Sequence, residues 1–173
     1  MDVMKELLPL FLAFSCGAAC ADTVTSTSGL FSASFPCPAV AKVVSSTSTM
    51  EKREYNCAHG DATYSVSEIV ATAKGKEYAA KHPAVDMVGS FETDSLNMYK
   101  KIAWQATSRH GTEKSFKFAV VDATGKGNDH VTVMHVHRAI YDSPNATINF
   151  KVTGMDSAAK EIKAAGDSFK ILK

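Results

Sequence analysis

From residue 114 to residue 152 apolar and polar residues alternate, interrupted only by short turn-forming stretches. That pattern restricts this half of the chain to hairpin-linked antiparallel strands. Phe116, Phe118 and Val120 fall on one face of a strand over residues 114–121. The glycine-rich stretch 122–129 reads as a hairpin loop, and Val131, Val133, His135 and His137 then alternate with Thr132, Met134, Val136 and Arg138. Residues 142–145 form a turn before a strand over 147–152, which Gly154 stops. Residues 102–107 read as a strand that turns at Arg109-His110-Gly111.

The first half repeats the theme. Residues 22–28 are rich in Thr and Ser and are expected to start without order. Phe31, Ala33 and Phe35 share one face of a strand that Pro36 and Pro38 end. Residues 43–49 suit extended chain. Strands over 51–57 and 63–71 flank a turn at 58–61, with Tyr64, Val66 and Glu68 on one face. Residues 74–98 favour helix, broken at His82-Pro83, with Pro83 opening a second stretch and Val85, Val88 and Phe91 as its buried stripe. Asp156 is placed to cap a last helix over 157–166 that ends at Gly166. Strands in runs, with helices grouped in the middle and at the end, predict an α+β domain: an antiparallel β-sheet flanked by helices.

Residues 1–21 read as a secretory signal peptide. Lys5 marks a charged start, residues 7–14 are apolar, and Ala19-Cys20-Ala21 is a small-residue cleavage site. The apolar run is too short to span a bilayer. One globular domain over residues 22–173, periplasmic or secreted, is therefore expected. A lipid anchor on Cys20 is disfavoured, because Gly17 stands where a lipoprotein signal wants a Leu-like residue. Cleavage leaves Cys37 and Cys57, which an oxidising compartment joins as one disulfide. A redox or metal-bound thiol is the alternative, but the chain has no Cys-x-x-Cys. Lys and Arg total 19 against 18 Asp and Glu, so no basic stripe invites nucleic acid.

Chemistry-bearing motifs are few. His135 and His137 point the same way on a strand and could meet one Zn²⁺ or Cu²⁺ ion. Asp129, His130 or His59 could complete that site if the fold brings one near, whereas Met134 points away. The bland alternative is two histidines on a half-exposed sheet. No Gly-x-Ser-x-Gly elbow is present, and Gly125-Lys126-Gly127 lacks the spacing of a phosphate loop. No catalytic residue is assigned, and no enzyme activity is expected. Asn145-Ala146-Thr147 matches a glycosylation acceptor, which matters only in a eukaryotic source. Glu161 and Lys163 read as a solvated helix face. Tyr99 and Trp104 read as core or as the lining of a groove.

Two segments carry a family resemblance. Gly29-Leu-Phe-Ser-Ala-Ser-Phe-Pro36 resembles the Gly-Phe-Ser-Val-Ser-Phe-Pro opening of PsbP-like proteins. Thr147-Ile-Asn-Phe-Lys-Val-Thr-Gly154, the helix after it, and Asp167-Ser-Phe-Lys-Ile-Leu172 resemble that family's closing strand, helix and tail. The family takes its name from an extrinsic photosystem subunit and includes many exported bacterial proteins. The resemblance implies an α/β/α sandwich used for docking to partners, with Phe31, Phe35 and Phe169 in the core. The Cys37–Cys57 pair and the loops depart from the family, so no partner carries over. The expectation is a non-enzymatic exported protein that binds another envelope or secreted protein or assists an assembly. A periplasmic metal-binding protein using His135 and His137 is the alternative, and a small hydrolase or hydrolase inhibitor the lower one.

Overall fold

The computed structural model describes residues 21–82 and 85–173. All but the last residue of the expected leader over residues 1–21, and the expected helix start at Pro83, lie outside the described residues. In chain order the elements are β1 (Asp22–Thr25), β2 (Phe31–Phe35), β3 (Ala41–Ser46), β4 (Met50–His59) and β5 (Ala62–Ala71), then α1 (Ala73–Lys81) and α2 (Met87–Lys101). There follow β6 (Gln105–Glu113), β7 (Phe116–Lys126), β8 (Val133–Ser143), β9 (Ala146–Met155), a 3-10 turn (Asp156–Ala158), α3 (Ala159–Ser168) and β10 (Lys170–Ile171). Seven strands form one antiparallel sheet in the order β3-β4-β5-β9-β8-β7-β6, and β1-β2-β10 form a smaller one. The expected α+β class, with helices against an antiparallel sheet, is what the chain adopts.

Alternation builds the core. Phe31, Ala33 and Phe35 of β2 are buried, as are Tyr64 and Val66 of β5 and Ile148, Phe150 and Val152 of β9. The two sheets meet through aromatic rings: Phe35 lies 5.4 Å from Tyr64, and Phe169, which follows α3, stacks on Phe31 at 5.4 Å and on Phe150 at 4.9 Å. Burying each such ring is worth about 1.5–3 kcal/mol. The other face of β6–β8 is covered by α2, whose Val88, Phe91 and Tyr99 pack on Ala119, Val121, Ala123, Val136 and Ile140. Asp86 caps α2, its carboxylate accepting from Gly89 N–H at 3.0 Å. Cys37 and Cys57 are disulfide-bonded and tie the end of β2 to β4. Among the described residues no helix is long and apolar enough to cross a membrane.

Several sequence expectations are corrected. Residues 22–25 are a strand, β1, paired along β2 with Val24 buried. The turn after β1 is held by Glu68, which is fully buried. Its carboxylate accepts from Ser26 Oγ at 2.5 Å, from Ser28 Oγ and from Tyr55 OH at 3.3 Å, and it faces Arg53 at 3.9 Å. A buried carboxyl group is costly without such partners, and they lie in segments the local pattern does not connect.

Arg109-His110-Gly111 is not a turn but the middle of β6, paired to Val120, Ala119 and Phe118. The chain reverses instead at Lys114, whose φ is +54°. An edge strand carries little apolar alternation, so its polar residues imitate a turn. Residues 122–126 are not loop either, because Val121 and Ala123 are buried beneath α2 and carry β7 onward to Lys126. Gly154 does not stop β9. Its missing Cβ would sit 2.7 Å from the Asp61 carbonyl oxygen, so it admits close strand contact. Val85 lies before α2 and is 72% exposed, so it leaves the proposed stripe. Asp156 makes no capping bond to the last helix, which runs on past Gly166 to Ser168.

Candidate functional site

The extension of β7 past Val121 creates the site. It sets Asp122 opposite His137 and Thr124 opposite His135 in the β7–β8 ladder, all on the face beneath α3. Asp122 Oδ1 lies 2.6 Å from His137 Nδ1. His135 Nδ1 meets Thr124 Oγ1 at 3.1 Å, and its Nε2 meets Asp156 Oδ1 at 2.7 Å. Asp156, freed from capping, thus serves the first histidine. Arg109 of β6 and Ala159, Ile162, Lys163 and Asp167 of α3 complete the walls of an open cleft of about 440 Å³.

His137 is 7% exposed, its ring edge-on to Phe150 at 5.5 Å. Gly166 lets α3 close over it, since a Cβ there would lie 2.8 Å from the ring's Cε1. With Nδ1 on Asp122, the other nitrogen, Nε2, has no hydrogen-bond partner among the described residues and is not sealed from the cleft. The hydrogen bond from His137 holds the Asp122 carboxyl below the usual carboxylate range, against the opposing pull of burial, with Arg109 and Lys163 adding to the lowering. Lys163 pairs with Asp167 at 2.5 Å. Arg109 lies 5.9 Å from the centre of the Phe118 ring and, among the described residues, has no carboxylate within salt-bridge distance.

His135 and His137 therefore share a cleft, each backed by a carboxylate. The other suggested ligands are elsewhere. Asp129 closes its own turn, accepting from the Val131 and Thr132 amides and the Thr132 hydroxyl, which hold it at about 2. His59 lies 3.4 Å from Glu161, which also accepts from Tyr64 OH at 3.2 Å, so Glu161 is not merely a solvated residue. Among the described residues no group of three or more His, Cys, Asp and Glu is arranged to hold a metal ion. Tyr99 of α2 stacks on Trp104 at 5.6 Å, and Trp104 Nε1 donates to the Lys126 carbonyl at 2.8 Å, so Tyr99 is core and Trp104 packs against it at the edge of that cluster. Sequence reasoning missed Asp122, Thr124, Asp156 and Arg109. The alternation of Val121, Asp122, Ala123 and Thr124 is the signal that could have extended the strand and found two of them.

No protein-family model matches the chain, and no curated protein matches it. Among solved structures the chain is similar to the solution structure of cyanobacterial PsbP (CyanoP) from Synechocystis sp. PCC 6803. The identity is 13% and the TM-score 0.47, over 94% of this chain and 99% of that one. No residue of the cleft takes a role from that likeness.

Proposed function

We propose that this is an exported, non-enzymatic binding protein that takes its ligand in the cleft between α3 and strands β6–β8. The observation that carries the reading is His137: a mostly buried ring on the cleft wall, fixed by Asp122 through Nδ1, whose Nε2 has no hydrogen-bond partner among the described residues. A ligand group that meets this nitrogen would replace water there and gain a directional hydrogen bond. Among the described residues no hydroxyl or thiol bonds His137 Nε2, as a nucleophile awaiting activation would, which favours binding over hydrolysis. The disulfide and the leader pattern support an exported location.

Native mass spectrometry of the protein secreted by its own leader tests this. A retained mass lost on His137→Gln, and kept on the distant Lys42→Gln, is the expected result. Retention that ignores His137 puts the ligand elsewhere.

One observation favours the metal reading as a second. Each histidine gives one ring nitrogen to a carboxylate, as metal-ligating histidines do. Added Zn²⁺ or Cu²⁺ held one per chain, and lost when both His135 and His137 become Ala, would support it. Arg109 and Lys163, close enough to influence Asp122, weigh against a dication there.

A further inference from the structure

We propose that the cleft recognises a small molecule carrying an anionic group beside a hydroxyl, such as a hydroxy acid or a sugar phosphate. This inference rests on the binding reading above.

Asp122 and Asp167 both line the cleft, but each already has a partner, His137 and Lys163 respectively. The Asp156 carboxylate is taken by His135. Arg109 is left as the cleft's unpaired cation among the described residues. Guanidinium in that state matches a carboxylate or phosphate, which it can grip with two parallel hydrogen bonds. Lys163, exposed on the facing helix and balanced by Asp167, offers a further N–H donor from the opposite wall rather than net charge. Hence the anionic group.

The hydroxyl follows from the remaining ring nitrogen. A carboxylate only accepts, so His137 Nδ1 donates the 2.6 Å bond to Asp122. Nε2 has no partner among the described residues and is left for the ligand. A hydroxyl both donates and accepts, so it can meet that nitrogen with or without a proton on it, and the nearby Thr124 Oγ1 can bond the same group. The cleft, at about 440 Å³, holds a molecule of that size.

The test is an NMR titration of the folded, disulfide-bonded protein that follows the His137 ring signals. The probes are malate against succinate and glycerol phosphate against propyl phosphate, each pair differing in hydroxyl content. The expected result is saturable movement of the His137 signals, with the hydroxylated member binding roughly fivefold to tenfold more tightly. A preference in only one pair names the anion, carboxylate or phosphate. Arg109→Gln, on an exposed edge strand, should weaken binding of the hydroxylated probes about tenfold. Lys163→Gln should weaken it less, and neither change disturbs buried packing. The proposal is overturned if none of the probes moves His137, if hydroxyls make no difference in either pair, or if Arg109→Gln binds as the parent does. Retention of a native ligand through His137 in that case would sink the ligand class and leave the binding reading standing.

Discussion

Replacing Gly166 by Ala should destabilise the protein, although the same change inside most helices stabilises them. Gly166 lies in the last turns of α3, and its φ is not in the left-handed region, so helix propensity alone favours Ala by at most ~1 kcal/mol. Against that, the new methyl would stand 2.8 Å from His137 Cε1 and 2.9 Å from both ring nitrogens. The ring cannot retreat freely, because Asp122 holds it at 2.6 Å and Phe150 lies edge-on at 5.5 Å. Overpacking of this kind costs about 1–3 kcal/mol, and losing the charge-assisted bond to Asp122 adds about 1.5 kcal/mol or more. The net loss is roughly 1.5–3.5 kcal/mol, which lowers Tm by roughly 5–11 °C in a domain of this size. Thermal and urea unfolding by circular dichroism reads it. The same Gly166→Ala change in a His137→Ala background should reverse sign, since only the propensity gain remains. A Gly166→Ala protein as stable as its parent, or no sign reversal in the double variant, would refute the account of α3 closing on His137.

Other predictions follow from the same geometry. Replacing Cys37 and Cys57 by Ala opens a link across a sequence separation of 20 and should cost about 3 kcal/mol in urea unfolding; a loss well under 1 kcal/mol would contradict it. Glu68→Ala strips the acceptor from Ser26, Ser28 and Tyr55 and should cost about 2–4 kcal/mol, with amide exchange rising first around Val24 and Ser26. Unchanged protection of β1 would show that Glu68 does not hold it. The Asp122 carboxyl is lowered in the folded state, so its contribution is full above the unfolded value and fades as pH falls through the folded one. Asp122→Asn should therefore flatten the acid limb of stability against pH below about 4; an identical acid limb would mean the Asp122–His137 bond contributes nothing to folding.

How much was legible in the sequence depended on burial. Phe31, Ala33 and Phe35 alternate because one face of β2 meets the core, and the same holds for Tyr64, Val66, Ile148, Phe150 and Val152. Those strands could be read, as could the cysteine pair. β6 was read only over residues 105–107 and cut short at a supposed turn, because an edge strand with mostly exposed residues has little apolar signal to phase. β1 could not, because the turn after it bonds through Ser28 to Glu68, 40 residues away in β5. His135 and His137 were found by spacing alone. Asp122 and Asp156 were assigned to a loop and a cap, since short polar residues favour both, and only the ladder register shows what they do instead.

The small sheet has a consequence for when the molecule can finish folding. β2 is its middle strand, and its two neighbours come from opposite ends of the described chain, Asp22–Thr25 on one side and Lys170–Ile171 on the other. Phe169, immediately before β10, supplies the ring that stacks on Phe31 and Phe150. A chain emerging in order from a ribosome or a translocation pore can close the β4–β5 hairpin early and the β6–β9 meander later. It cannot seal the aromatic layer over the large sheet until Phe169 and β10 have emerged. Until then the rings of Phe31 and Phe150 lack their cover, so the last-made strand of the small sheet, and not the large meander, sets when the core is dry.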